Sequence, residues 1–256
     1  MRVKLQPAYV LHSRPYRDTS AILEVFTAEQ GRISLVAKGA RRQSKKGSAA
    51  ASLQPFTPLL ISFSGRAELK TLTAQEMAGS AIPLRHERLF SGMYINELLV
   101  RLLHRHDPHP RIFASYGETL ARLVEETPID TLLREFEMLL LEELGYHLAL
   151  DTDGASGAAI EAGQRYRFDA DCGLVAFTAG DKQAGAGYPG SDLLAMAAGE
   201  LGGEQRLIAK RLLREALAVQ LGDVPLHSRQ LFRGKGPKRD QHELPQPKIV
   251  EGGKSL

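Results

Sequence analysis

The chain has 256 residues, is 43% hydrophobic and 25% charged, and holds one cysteine and no tryptophan. This is the composition of an ordinary soluble globular protein; it excludes wholly disordered, collagen-like and disulfide-stapled chains and leaves no Cys-rich zinc site. No run reaches the ~18 apolar residues of a membrane span, and the opening MRVKLQPAYV lacks the apolar stretch of a secretory signal, so a cytoplasmic protein is expected.

The net charge of +3 is unevenly spread. Residues 1–80 carry 12 Lys/Arg against 5 Asp/Glu, a net +7, and residues 206–256 carry 11 against 5, a net +6. Between them, residues 81–150 hold 7 against 11 and residues 151–205 hold 3 against 9. Two basic ends around an acidic middle point to a polyanionic partner or to one shared basic surface.

In chain order, Ala8–His12, Ala21–Thr27, Arg32–Lys38, Pro58–Ser64 and Glu68–Thr73 alternate or are β-branched and are broken by turn residues. They predict five strands, with hairpin turns at Gly31 and at Ser64-Gly65-Arg66. Five short strands within the first ~80 residues suit a small closed barrel of the OB type, because closure removes exposed edges. From about residue 83 the apolar period becomes helical. Leu89 to Leu103, Ile112 to Val124 and a stretch from Thr127-Pro128 to Gly145 predict three helices. The Gly- and Asp-rich stretch 150–190 carries two strand-like pieces, Tyr166–Phe168 and Leu174–Phe177. A last helix over 205–221 has Leu207, Ile208, Leu212, Leu213, Ala216 and Leu217 inward and Arg206, Lys210, Arg211 and Arg214 outward. Residues 236–256 are Pro-, Gly- and Lys-rich and predict a disordered tail. The fold class is therefore α+β, with a barrel over 1–80 followed by a mainly helical domain over 81–235 that contains a small β insert.

The densest basic feature is Lys38-Gly39-Ala40-Arg41-Arg42-Gln43-Ser44-Lys45-Lys46-Gly47, in which Lys38, Arg41, Arg42, Lys45 and Lys46 meet no acid. A glycine-bounded loop of this kind can track a phosphate backbone and release condensed counterions. Arg14, Arg17, Arg32, Arg66 and Lys70 lie on or beside the same predicted strands, and Tyr16 is the best candidate for stacking on a base. Tyr9, Phe26 and Phe63 sit in strand runs and read as core.

Enzyme signals are weak. Gly185-Ala186-Gly187-Tyr188-Pro189-Gly190 matches a dinucleotide fingerprint only in letters, since no strand precedes it and Pro189 interrupts it. His104, His106, Asp107 and His109 could in principle hold a metal for hydrolysis or strand cleavage, and this is the main alternative reading; the ordinary one is a helix C-terminus that favours cations. An RNA-binding OB protein is a further alternative. Cys172 lies among Asp169, Asp171 and Asp181 and reads as a packing residue.

Val10-Leu11-His12-Ser13-Arg14-Pro15-Tyr16, Gly31-Arg32, Leu35-Val36-Ala37-Lys38-Gly39-Ala40-Arg41 and Leu53-Gln54-Pro55-Phe56-Thr57-Pro58 resemble the RecO family of bacterial recombination mediators. The resemblance continues through Tyr94-Ile95-Asn96-Glu97-Leu98-Leu99, Leu144-Gly145-Tyr146 and Ser228-Arg229-Gln230-Leu231-Phe232. It implies an N-terminal OB-fold, a helical domain and a small zinc-ribbon-like insert. It also implies binding of single- and double-stranded DNA and annealing of strands coated with single-strand-binding protein. Loading of RecA together with RecR, without enzymatic turnover, is implied as well. Members bind the acidic C-terminal tail of single-strand-binding protein, for which Arg206, Lys210, Arg211 and Arg214 are this sequence's best offer. The paired CxxC motifs of zinc-binding members are missing, with only Cys172 in their place, so no metal and no cofactor are expected.

Overall fold

The structure, a computed structural model, describes residues 2–42, 52–146, 148–178 and 187–233. The expected tail at 236–256 lies outside these residues, as do Lys45 and Lys46.

Strands β1 (Arg2–Tyr16), β2 (Ser20–Thr27), β3 (Gly31–Ala37), β4 (Leu59–Ser64) and β5 (Leu69–Met77) close a barrel in the order β1-β2-β3-β5-β4. Neighbours pair antiparallel except β3 with β5, which is the OB-fold arrangement. Alternation fills the interior: Val10, Leu23, Val25, Ile33, Leu35, Ile61 and Phe63 are each at most 1% exposed. β1 is longer than its apolar run Ala8–His12 suggested, because it serves two neighbours. Its first half pairs with β4 (Arg2 with Ser64 through Ala8 with Leu59) and its second with β2 (Ala8 with Thr27 through Tyr16 with Ser20). Register shifts between Val3 and Gln6 and between Val10 and His12 let it bend around the barrel.

Among the described residues six helices follow: α1 (His86–Leu102), α2 (Pro110–Arg122), α3 (Ile129–Glu143), α4 (Gly190–Ala197), α5 (Gln205–Leu221) and α6 (Ser228–Arg233). Pro110 opens α2, where its missing N–H costs nothing. α3 ends as its Gly145 suggested. Gly145 takes φ +81°, its N–H donates to the Glu142 carbonyl at 3.0 Å, and the Tyr146 N–H donates to the Leu141 carbonyl at 2.8 Å. The short helices α4 and α6 carried too little periodicity to be read from sequence. In α5 the buried stripe is Ala209, Leu212, Leu213, Ala216 and Leu217. That spacing turns Leu207 to the far side, where it is 68% exposed, which corrects its expected inward place.

The barrel's outer side joins the helices. Leu11 and Phe26 belong to the same buried cluster as Tyr116 and Leu120, and the Tyr9 ring stands 5.6 Å from Phe113 and 4.9 Å from Tyr116. Asn96, buried on α1, donates to the Leu11 carbonyl at 3.0 Å and accepts from the Tyr116 hydroxyl at 2.7 Å. The β2–β3 turn meets the loop after α1, and a Cβ at Gly31 (φ +64°) would lie 2.2 Å from the Asp107 carbonyl oxygen.

The insert forms a three-stranded sheet, β6 (Arg165–Asp169), β7 (Gly173–Ala176) and β8 (Tyr188–Pro189), in the order β7-β6-β8. Asp153 ties its approach loop, accepting from the Ala155, Ser156 and Ala176 N–H groups at 2.9, 2.8 and 2.7 Å.

Candidate nucleic-acid interface

At one end of the barrel the β1–β2 turn meets the chain leaving β3. The Arg41 N–H donates to the Thr19 carbonyl at 2.9 Å, and Gly39 (φ +69°) lets the Arg42 N–H reach back to its own carbonyl at 3.0 Å. Between the two segments lies an open hollow of about 420 Å³, lined by Tyr16, Arg17, Thr19, Ser20, Val36, Lys38, Gly39 and Arg42. The Arg17 guanidinium stands 5.1 Å from the centre of the Tyr16 ring, so cation and ring are presented together. Arg14 is exposed on β1 opposite Ile22, and Arg66 is exposed in the β4–β5 turn.

Arg2 and Lys4 also project outward from β1, the former paired with Ser64 beside that turn. Sequence reasoning missed both, because the polar start of β1 does not alternate cleanly; the inward-leaning Val3 between two cations was the available signal. None of Arg2, Lys4, Arg14, Arg17, Lys38, Arg41, Arg42 and Arg66 forms an ion pair among the described residues.

Two predicted binding residues are placed elsewhere. Arg32 donates to Glu24 at 2.8 Å and, through Nε, to the Leu103 carbonyl at 3.1 Å, with only 12% of its side chain exposed. Glu24 also accepts from Ser34 at 2.6 Å and meets Arg105, which pairs with Glu68 as well. Lys70 is buried, with its ammonium 3.3 Å from His106 Nε2. Both cations hold the barrel to the loop after α1, and their charge is directed inward.

The histidine segment belongs to that junction. The His106 N–H donates to the Arg32 carbonyl at 3.0 Å, while burial and then the neighbouring Lys70 hold the His106 imidazole below its usual range. His109 faces Asp107 at 3.4 Å. No three His, Cys, Asp or Glu side chains among the described residues come together as metal ligands would. An ammonium against one ring nitrogen is a poor neighbour for a divalent cation.

A second concave feature lies among the helices. This cleft of about 590 Å³ is lined by Glu87 and Tyr94 of α1, by Ile129, Asp130, Leu133, Arg134 and Glu137 of α3, by Lys210 and Arg214 of α5, and by Arg229 and Phe232 of α6. At its base the buried Glu137 accepts from the Tyr94 hydroxyl at 2.6 Å and from Arg134 at 2.7 Å. Burial pushes the Glu137 carboxyl up, against the pull of Arg134, and pushes the Tyr94 hydroxyl well above its usual range. Lys210 donates to Asp130 at 3.0 Å, whereas Arg214 and Arg229 form no ion pair among the described residues.

Of the four cations predicted on α5, Lys210 and Arg214 thus reach the cleft and the half-buried Arg206 is not in its lining. Arg211 faces the insert: it lies 4.3 Å from the Tyr188 ring centre and donates to the Gly187 carbonyl at 3.0 Å. Arg229 and Phe232 owe their place in the cleft to the docking of α6.

The family model described as "Recombination protein O N terminal" matches residues 1–81, and "Recombination protein O C terminal" matches residues 85–230. Similar proteins include the DNA repair protein RecO of Nitrosospira multiformis, 45% identical over 91% of this chain and 96% of that protein. The DNA repair protein RecO of Nitrosococcus oceani is 48% identical over 91% and 94%, and that of Haemophilus influenzae is 42% identical over 91% and 97%.

Proposed function

Because this chain belongs to the RecO family of DNA repair and recombination proteins, we propose that it works as a mediator that binds single- and double-stranded DNA. It anneals complementary strands coated with single-strand-binding protein and, with RecR, helps load RecA at the nucleoid. The observation that carries the DNA reading is that Arg17, Lys38 and Arg42, which have no carboxylate partner among the described residues, line one hollow together with Tyr16.

Each such cation can replace a condensed counterion on a phosphate, which lowers the repulsion between two strands without reading bases. Tyr16 beside Arg17 offers a base a flat partner, and stacking of this sort is worth roughly 1–3 kcal/mol per base. Arg41 and Arg42 extend the same strip, and Lys45 and Lys46, which follow them in sequence outside the described residues, add two further cations to the segment. The work is binding and alignment, with no bond made or broken by the protein.

The cleft among the helices suits the acidic tail of single-strand-binding protein. Arg214 and Arg229 have charge to offer, Lys210 can exchange Asp130 for a ligand carboxylate, and Ile129, Leu133 and Phe232 supply apolar walls. Docking there would deliver the barrel to coated strands while leaving its cations unused.

The deciding experiment is annealing of complementary strands coated with single-strand-binding protein, measured across salt concentration. Annealing that falls steeply with salt and is lost when the coating protein lacks its tail supports both parts. Equal binding of single-stranded RNA in competition would favour a role in RNA binding, and strand cleavage would overturn the reading.

A further inference from the structure

We propose that Glu97 is a positioning residue for the helical cleft: from outside it, Glu97 clasps the start of α6 and so sets Arg229 and Phe232 into the cleft wall. The inference rests on the reading of that cleft as the docking site for an acidic C-terminal tail.

Two sequence segments 131 residues apart meet at this clasp. The Glu97 carboxylate accepts the His227 N–H at 2.8 Å, the Ser228 N–H at 2.8 Å and the Ser228 hydroxyl at 2.6 Å. Burial alone would raise the Glu97 carboxyl, but the hydrogen bonds from Ser228 and His227 outweigh it and hold the group below its usual range. Three N–H and O–H donors aimed at one carboxylate suit its charged form.

α6 has only six residues and could not persist as an isolated helix. What holds it lies along one stripe of α1. Arg101, one turn beyond Glu97, donates to the Leu221 and Val224 carbonyls at 2.5 Å. Phe90, two turns before it, meets the Phe232 ring edge-on with centroids 5.7 Å apart. Leu226, buried in the helical core, anchors the approach. The next residue after the clasped Ser228 is Arg229, and Phe232 follows one turn later, so the clasp sets the rotation of the helix that presents both.

Glu97 is not in the lining of the cleft, whereas Tyr94, on the same helix, is. A ligand therefore meets Glu97 only through what it positions. The two roles are separable, and this gives the test its form.

A labelled acidic peptide copied from the C-terminal tail of single-strand-binding protein, with its free terminal carboxylate, is titrated into the full-length wild-type chain, Glu97→Ala, Arg229→Ala and the double variant. Glu97→Ala is expected to weaken peptide binding about tenfold, while single-stranded DNA affinity of the barrel stays as in wild type. Arg229→Ala should weaken the wild type several-fold and add nothing in the Glu97→Ala background, since there Arg229 has already left its place. Hydrogen exchange over 222–233 should quicken in Glu97→Ala while the barrel's exchange is unchanged. Glu97→Gln, which keeps one acceptor, should restore part of the affinity, and it serves with Ser228→Ala if Glu97→Ala does not fold.

Equal losses from Arg229→Ala in both backgrounds, or wild-type peptide affinity in Glu97→Ala, would overturn the clasp while leaving the cleft assignment standing. A wild-type chain that ignores the peptide would overturn both.

Discussion

In the helical region Arg111, Arg122 and Arg134 are each answered by a carboxylate, from Glu142 and Glu143, from Glu135 and from Glu137. On the barrel, Arg14, Arg17, Lys38, Arg41 and Arg42 meet none among the described residues, although the barrel itself supplies Glu24 and Glu68. Those two acids are committed to Arg32 and Arg105 at the seam with the helices. What the two regions teach is that the count of basic residues says less than where the acids are spent. The seam takes up Glu24 and Glu68, two of the five acids in residues 1–80, and the rim cations stay without an ion-pair partner among the described residues. In the helical region the same exception occurs at Arg214 and Arg229, beside the second concavity.

The strongest way to break this contrast is to reverse the rim. Changing Arg17, Lys38, Arg41 and Arg42 together to Glu should lower single-stranded DNA affinity by at least about a hundredfold at low salt. The slope of log affinity against log salt should shrink by about 3 units. Neutralising Arg111 and Arg122 to Gln removes two helical cations and should leave that affinity within about twofold, because the carboxylates beside each repel a phosphate. Equal losses in the two variants, read by fluorescence anisotropy, would dissolve the distinction.

Next in size is the cleft. Arg214→Glu with Arg229→Glu should weaken an acidic tail peptide by about ten- to a hundredfold while the barrel's DNA affinity is nearly unchanged. Joint loss of both activities would mean that the two concavities form one surface.

A smaller effect is expected at the joint between the regions. Asn96→Ala strands the Leu11 carbonyl and the Tyr116 hydroxyl in the interior, and should cost about 2 kcal/mol in urea unfolding. Two separate transitions in place of one shifted transition would show that the barrel and helices unfold independently.

The smallest is a pH effect at Glu97. Its carboxyl is held lower in the folded chain than in the unfolded one, so its contribution is present above the unfolded value of about 4.3 and disappears as pH falls through the folded value. The stability difference between wild type and Glu97→Gln should therefore be constant from pH 7 down to about pH 5 and narrow below about pH 4. A difference that stays constant to pH 3 would place the carboxyl outside the clasp.

Much of this was legible in the residues. Period-two alternation located β2, β3 and β4, and Gly145 marked the end of α3. Alternation also separated inward from outward on the barrel. It could not say which outward residues face water and which face helices, and that is why Arg32 read as a phosphate ligand; Lys70 lies instead opposite the interior Leu35, near the start of β5. Both meet a loop more than thirty residues away. Leu207 failed for a related reason, since a basic, mixed helix admits more than one apolar stripe until its neighbours select one. The cleft was half visible, through Lys210 and Arg214, because its remaining wall arrives on a helix too short to announce itself.

The double duty of β1 has a consequence for how the chain is made. Arg2 is synthesised before its partner Ser64, which follows roughly sixty residues later, and contacts so distant in sequence form slowly. During translation the first strand can pair with β2 while its other half waits with an open edge, and such an edge invites pairing with another chain. The cations Arg2 and Lys4 on that waiting half keep it charged until β4 appears. Residues that would serve the finished protein by meeting phosphate could thus also protect the nascent one from its neighbours.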